Sequence, residues 1–296
     1  MNMSHPFPRL FALSDVHVDY SANMTWLENL SNADYQQDTL ILAGDVSDSL
    51  DKLTQALNCL REKFADIFFV PGNHDVWVRR DNFEHSLEKF THIIDLCTQL
   101  GVHTEPARCG NKWVVPLFSW YRKPEEGPDS LFAEKPGEDP SLRIWADNNH
   151  VRWPEMPTCA ADYFLQLNQE RLEQNYDAPI VSFSHFLPRR ELIFASRAEI
   201  EAARNAGAYM KDRAPQFNFS RVAGCAQLDK QIIKLGAQVH IYGHQHRNRQ
   251  REIDGVVYLS SCLGYHHERK RGMIRDMLIG PCLVTLPHET IEVEQV

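Results

Sequence analysis

The chain has 296 residues, 43% of them apolar and 24% charged, and a formal net charge of −9, the profile of an ordinary globular protein with ample material for a core. No apolar run approaches the ~18 residues of a membrane span, the start Met1-Asn-Met-Ser-His-Pro6 lacks the charged-then-apolar pattern of a signal peptide, and the acidic balance argues against a protein that grips nucleic acid through a basic face. Seven cysteines without a CxxC or zinc-finger spacing read as free thiols of a cytoplasmic protein.

In chain order, the apolar run from Leu10 is a first strand, and Met24, Leu27 and Leu30 mark a short helix over Met24 to Tyr35. The run from Thr39 is a second strand. Leu50, Leu53, Leu57 and Leu60 form one helix face behind it. A third strand reaches Val70, and a helix over Asp81 to Leu100 carries Phe83, Leu87, Phe90 and Ile94 and is stopped by Gly101. This alternation of strand and helix predicts an α/β fold with a mostly parallel sheet. Asn111 to Trp120 is a further strand. Tyr121 to Pro157 is rich in Pro, Gly, Glu and Asp, with Trp145 and Trp153, and reads as an insertion or cover within a single domain spanning 1–296. Helices are expected over Thr158 to Asn175, near Glu191 to Ala206, and over Cys225 to Leu235. Strands are expected from Val239, over Gly255 to Ser260, and over Cys282 to Leu286.

Five of the strands end in polar residues of one kind. Leu10-Phe-Ala-Leu-Ser-Asp-Val-His17 ends in Asp15 and His17, and Thr39-Leu-Ile-Leu-Ala-Gly-Asp45 ends in Asp45, with Asp48 just beyond. Phe68-Phe-Val-Pro-Gly-Asn-His-Asp75 ends in Asn73 and His74, Ile180-Val-Ser-Phe-Ser-His185 in His185, and Val239-His-Ile-Tyr-Gly-His-Gln-His246 in His244 and His246. Side chains at the carboxyl ends of sheet strands project into the crevice where ligands bind. Each motif alone is ordinary, since Gly-Asp after a strand is a common turn and a lone His is a common core residue. Repeated at five strand ends they are hard to explain as turns, which do not need histidine. Carboxylate and imidazole without thiolate suit Mn, Fe, Zn or Ni.

Asp15-x-His17, Gly44-Asp45-x-x-Asp48, Gly72-Asn73-His74-Asp75, His185 and Gly243-His244-x-His246 resemble, in order, the five signature blocks of the calcineurin-like metallophosphoesterase superfamily. The resemblance implies two mixed β-sheets packed face to face and flanked by helices, an α-β-β-α sandwich. It also implies two divalent or trivalent metal ions, one held by Asp15, His17, Asp45 and His246, the other by Asp45, Asn73, His185 and His244. Such an ion pair binds a bridging water, lowers its pKa and clamps the phosphoryl oxygens. His74 would then protonate the leaving oxygen, and Asp48 would accept a hydrogen bond from His74 and orient it.

The protein-phosphatase branch reads Asp-Arg-Gly where this chain reads Asp48-Ser49-Leu50, so the phosphate-clamping Arg of that branch is missing. This points to hydrolysis of a small phosphomonoester or phosphodiester. Arg79, Arg189 and Arg190 are the candidates for replacing the clamp, and exposed loop arginines are the plainer account of each. A nuclease acting on nucleic acid and a non-catalytic scaffold on the same fold are the alternatives. The net charge disfavours the first, and the filled ligand positions together with His74 disfavour the second. Cys262-Leu-Gly-Tyr265 is expected to border the pocket, and His266, His267 and Arg269 to lie in a solvated loop. The substrate, the metal pair and the oligomeric state are not legible at this level.

Overall fold

The computed structural model describes residues 7–205, 214–270, 274 and 280–287. Among the described residues, ten strands form two sheets. The first contains β1 (Leu10–Leu13), β2 (Thr39–Leu42), β3 (Asp66–Phe69) and β10 (Cys282–Val284) in the order β10-β1-β2-β3. Its three leading strands are parallel and β10 is antiparallel to β1. The second contains β4 (Ala107–Cys109), β5 (Lys112–Pro116), β6 (Ile180–Phe183), β7 (Ala237–Tyr242), β8 (Arg249–Ile253) and β9 (Val256–Ser260) in the order β4-β5-β6-β7-β9-β8. Its central four strands are parallel and both edges antiparallel. The two mixed sheets flanked by helices are those the resemblance implied, where the strand–helix alternation alone gave only a mostly parallel sheet. β4 and β8 had no expectation at all.

The helices are α1 (Ser21–Glu28), α2 (Leu50–Arg61), α3 (Ser86–Leu100), α4 (Asp147–His150), α5 (Ala160–Leu167), α6 (Gln169–Glu173), α7 (Arg197–Asn205), α8 (Ala226–Leu235) and α9 (His266–Lys270). Alternation along the strands assigns each residue to a layer. On β1, Leu10 and Ala12 face the second sheet while Phe11 and Leu13 face helices; on β2, Ile41 faces the sheet and Leu40 and Leu42 the helices. The helix-side layer closes on Leu53, Leu57 and Leu60 of α2, the face read from spacing. The layer between the sheets joins Ile41 and Phe68 to Val114, Val181, Phe183 and Ile241. This is face-to-face packing of two sheets with helices outside.

Gly101 and Gly236 end α3 and α8 in the left-handed region, with φ of 66° and 68°. α3 starts five residues later than expected because the Asp81 carboxylate is used elsewhere, accepting from the Leu50 backbone and pairing with Lys89. The helix expected over Thr158 to Asn175 breaks into α5 and α6 at Asn168. There the buried amide accepts from the Phe118 backbone N–H and donates to the Phe118 carbonyl and to Gln231 Oε1, all at 2.8–2.9 Å. α1 ends at Glu28 instead of reaching Tyr35. Of the helix expected over Glu191 to Ala206, only Arg197–Asn205 is α-helical, and Ala206 lies outside the described residues.

Candidate active site

Each expected site residue leaves its strand through a tight turn. Asp15, His17, Asp45, His244 and His246 all have positive φ, at 51°, 46°, 58°, 72° and 53°. Non-glycine residues seldom adopt this region, and they concentrate at functional sites when the surroundings hold them there. Here backbone bonds between neighbouring turns do the holding. Asp15 N–H donates to Gly44 O at 2.9 Å, His17 N–H to Asp45 O at 3.0 Å and Gly243 N–H to His185 O at 2.9 Å. Asp75 fastens a third turn from inside. Its two oxygens accept from the backbone of Asp45, Val46, Ser47 and Gly72 at 2.8–2.9 Å. Burial and then the neighbouring Asp45 push its carboxyl up to about 7.

These turns bring Asp15, His17 and His246 together, and likewise Asp45, His185 and His244, with the ligand atoms of each trio within 4.8 Å of one another. His17, Asp45 and His74 form a third such trio. Asn73 Oδ1 lies 3.2 Å from His185 Nε2, so the seven residues expected as ligands occupy one cluster. Asp45 is its midpoint, with Oδ2 at 3.5 Å from His185 Nε2 and 3.9 Å from both His17 Nε2 and His74 Nε2. Three of the histidines spend one ring nitrogen outside the cluster. His185 Nδ1 donates to Ala43 O at 2.8 Å, His244 Nε2 to Val222 O at 2.9 Å and His246 Nδ1 to Glu268 at 2.7 Å. Each is left presenting its other nitrogen inward, where His185 and His246 face carboxylate and amide oxygens and His246 Nε2 lies 3.0 Å from His17 Nε2. With a cation in place of the inward ring protons, the imidazole lone pairs and oxygens would form its donor set. The same crowding shapes protonation. Burial would depress His185 and His246, but Asp45 raises the first to about 9, and Asp15 with Glu268 raises the second to about 10. At His244 burial, helped by the neighbouring His185, lowers the pKa to about 3.

His74 sits at the mouth, its ring stacked on Trp77 with centroids 3.7 Å apart and its Nε2 3.4 Å from the Tyr265 hydroxyl. Burial lowers its pKa to about 4. The hydrogen bond expected between His74 and Asp48 is not formed. The Asp48 carboxylate is instead taken by the guanidinium groups of Arg79 and Arg80, the latter at 2.7 Å, which neutralise its charge on the far side. Arg79 is thereby tied to Asp48 and lies over the Trp77 ring. Arg189 is held by Asp254 at 2.7 Å and stands near Glu191 and Asp229. Arg190 donates to Leu131 O. None of these three arginines contacts the cluster.

Tyr265 does border the pocket, its ring 4.5 Å from His17 and 4.7 Å from His246. The stretch after it is not a solvated loop. α9 turns Glu268 onto His246, and Arg269 donates to Leu263 O, Gly264 O and Asn23 Oδ1. Asp147, from the expected insertion, was likewise unforeseen. It is buried, pushed up to about 6 by burial, and accepts from the Asn73 side chain. Trp145, Phe186 and Phe219 form an aromatic wall at His244, with centroids 4.6–5.7 Å away. The only signal for Glu268 or Asp147 in the sequence is a charge inside an otherwise polar stretch.

A family model described as calcineurin-like phosphoesterase matches residues 8–248, and the chain belongs to that family. It is a phosphoesterase, a hydrolase whose site carries candidate metal-binding residues. Among curated proteins it is 28% identical over 280 residues to the [acyl-carrier-protein] phosphodiesterase PptH of Mycobacterium tuberculosis, covering 89% of this chain and 80% of that one. A crystal structure of the phosphopantetheinyl hydrolase PptH from the same organism superimposes with a TM-score of 0.71 at 24% identity, covering 94% of this chain and 96% of that one. The two share the fold of paired mixed sheets. Among the described residues no helix is long and apolar enough to cross a membrane.

Proposed function

We propose that this chain is a dinuclear metal-dependent phosphodiesterase that cleaves the phosphodiester joining phosphopantetheine to an acyl carrier protein. The observation that carries the metal centre is the inward crowding of imidazole nitrogens and oxygens around Asp45, which calls for cations. Asp15, His17, Asp45 and His246 would hold one ion and Asp45, Asn73, His185 and His244 the other, with Mn, Fe, Zn or Ni suited to the donors. Bound there, the pair supplies an activated water and charge for the phosphoryl oxygens. Asp45 offsets the repulsion between the ions, and the hydrogen bonds from His185, His244 and His246 to Ala43, Val222 and Glu268 keep their lone pairs directed inward. The negative charge of a bound phosphate ester would raise the pKa of His74, at the mouth, from its depressed value, and its ring nitrogen would then supply the proton for the leaving oxygen. An alkoxide is a basic leaving group and needs that proton.

The diester follows from the relative's printed activity and from the arginines. With Arg79 and Arg189 committed to carboxylates, a singly charged diester fits the site better than a doubly charged monoester. All seven cysteines are free thiols, which suits a cytoplasmic enzyme. The test is a panel of Mn-loaded protein against phosphopantetheinylated acyl carrier protein, bis-p-nitrophenyl phosphate, p-nitrophenyl phosphate, nucleotides and single-stranded DNA. The expected result is release of phosphopantetheine, preference for the diester and loss of activity with a chelator. Faster turnover of the monoester with the carrier protein untouched would reject the substrate. Full activity in chelator would reject the metal centre.

A further inference from the structure

We propose that Asp147 is a positioning residue that sets the orientation of the Asn73 amide and so tunes one metal position selectively. The inference rests on the dinuclear reading above. Asp147 lies on α4, within the segment 121–157, and only 2% of its surface is exposed. One carboxylate oxygen, Oδ1, accepts two hydrogen bonds, from Asn73 Nδ2 at 2.9 Å and from Trp77 Nε1 at 2.7 Å.

An asparagine can turn either end of its amide toward a site, and only the oxygen can ligate a cation. An ionised carboxylate accepts and cannot donate, so it holds the Asn73 NH2 and leaves Asn73 Oδ1 facing His185 Nε2 at 3.2 Å. The second hydrogen bond fixes Trp77, on which the His74 ring is stacked. A single oxygen therefore governs a ligand on one side and the stacking partner of His74 on the other. Asp147 is not itself in any of the groups of ligand atoms that lie within 4.8 Å of one another among the described residues. α4 and the residues just after it are tied in place by backbone bonds from Val78 N–H to His150 O and from Ser86 N–H to Arg152 O, at 2.9 and 2.7 Å. The segment thus reaches Asn73 through the buried Asp147 side chain.

The experiment is isothermal titration of chelator-stripped protein with Mn²⁺, repeated with Co²⁺ by visible absorption, on the parent and three variants. Asp147→Ala removes the acceptor. It is expected to bind one ion as the parent does and the other about 10–100-fold more weakly, the usual effect of losing a ligand's outer partner. Asp147→Asn keeps an acceptor oxygen at the same place and is expected to stay within about threefold of the parent at both positions. Asp147→Glu keeps the charge but moves the carboxylate by one methylene. It should lose the same ion as Asp147→Ala, and it decides the matter if the alanine variant does not fold. A folded Asp147→Ala or Asp147→Glu with both affinities unchanged overturns the proposal, as does an equal loss at both positions. A parent protein that binds no divalent ion would instead reject the dinuclear reading itself.

Discussion

Asp45 is where the two halves of the cluster meet, since its Oδ2 faces His17, His74 and His185 while Oδ1 accepts the His74 backbone N–H at 2.8 Å. Replacing that charge without changing shape, as in Asp45→Asn, is expected to release at least one ion and lower kcat/KM at least ~100-fold, about 3 kcal/mol of barrier. Elemental analysis finding two tightly held ions in an active variant would contradict this. His74 lies within ligand reach of His17 and Asp45 and also at the mouth, so its role needs a kinetic separation. A proton donor matters most for a basic leaving oxygen. His74→Asn should cost about 10²–10⁴-fold on an alkyl phosphate ester and much less on a p-nitrophenyl ester, with metal content unchanged. Equal losses on the two esters would leave it an electrostatic role, and a lost ion would make it a ligand. At this scale the ligand types were legible because each follows an apolar strand directly. Asp147 and Glu268 were not, because their contacts run through space to Asn73 and His246, 74 and 22 residues away.

At the scale of elements, three of the five strand ends, at Gly44, Gly72 and Gly243, need glycine for steric reasons. A Cβ at Gly44, where φ is 81°, would stand 2.4 Å from His185 Nδ1 and 2.8 Å from the Gly72 nitrogen. Gly44→Ala therefore combines overpacking with a left-handed backbone and should cost about 2–4 kcal/mol. That corresponds to a fall in Tm of roughly 3–7 °C for a chain of this size. A thermal melt within a degree of the parent would show that the turn can relax. The helices α2, α3 and α8 were readable from apolar spacing and from Gly101 and Gly236. β8 was not, because Arg249-Gln-Arg-Glu-Ile is a charged edge strand with no apolar alternation, and edge strands are where such residues belong. The break between α5 and α6 was also hidden, since the apolar spacing runs on through it and the cause is a bond to Phe118, 50 residues away.

At the scale of the molecule, the helix-covered face of the six-stranded sheet also holds a polar group that the site does not use. His240 on β7 is fully buried, with Ser182 Oγ 2.9 Å from Nδ1 and Ser184 Oγ 3.0 Å from Nε2. Burial depresses its pKa to about 3, against 6.5 for an ordinary histidine. As pH falls below ~6.5 the unfolded chain takes up this proton and the folded chain does not. The contribution is thus complete at neutral pH and lost on acidification, at about 1.4 kcal/mol per pH unit down to pH ~3. Denaturant titrations from pH 7 to 4 should show a shallower acid limb for His240→Asn than for the parent, and parallel limbs would refute the assignment. The two-sheet architecture itself could not be read from periodicity, because alternation places a residue on a face without saying what covers that face. Only the order of the motifs carried it. That architecture has one more consequence. Asp15, Asp45 and Asn73 come from turns of the four-stranded sheet, and His185, His244 and His246 from turns of the six-stranded one. Any ion gripped by this set is also a rivet across the seam between the two layers. The stiffness of that seam, and the ease with which the sheets shear past each other, would then follow the metal supply of the cell.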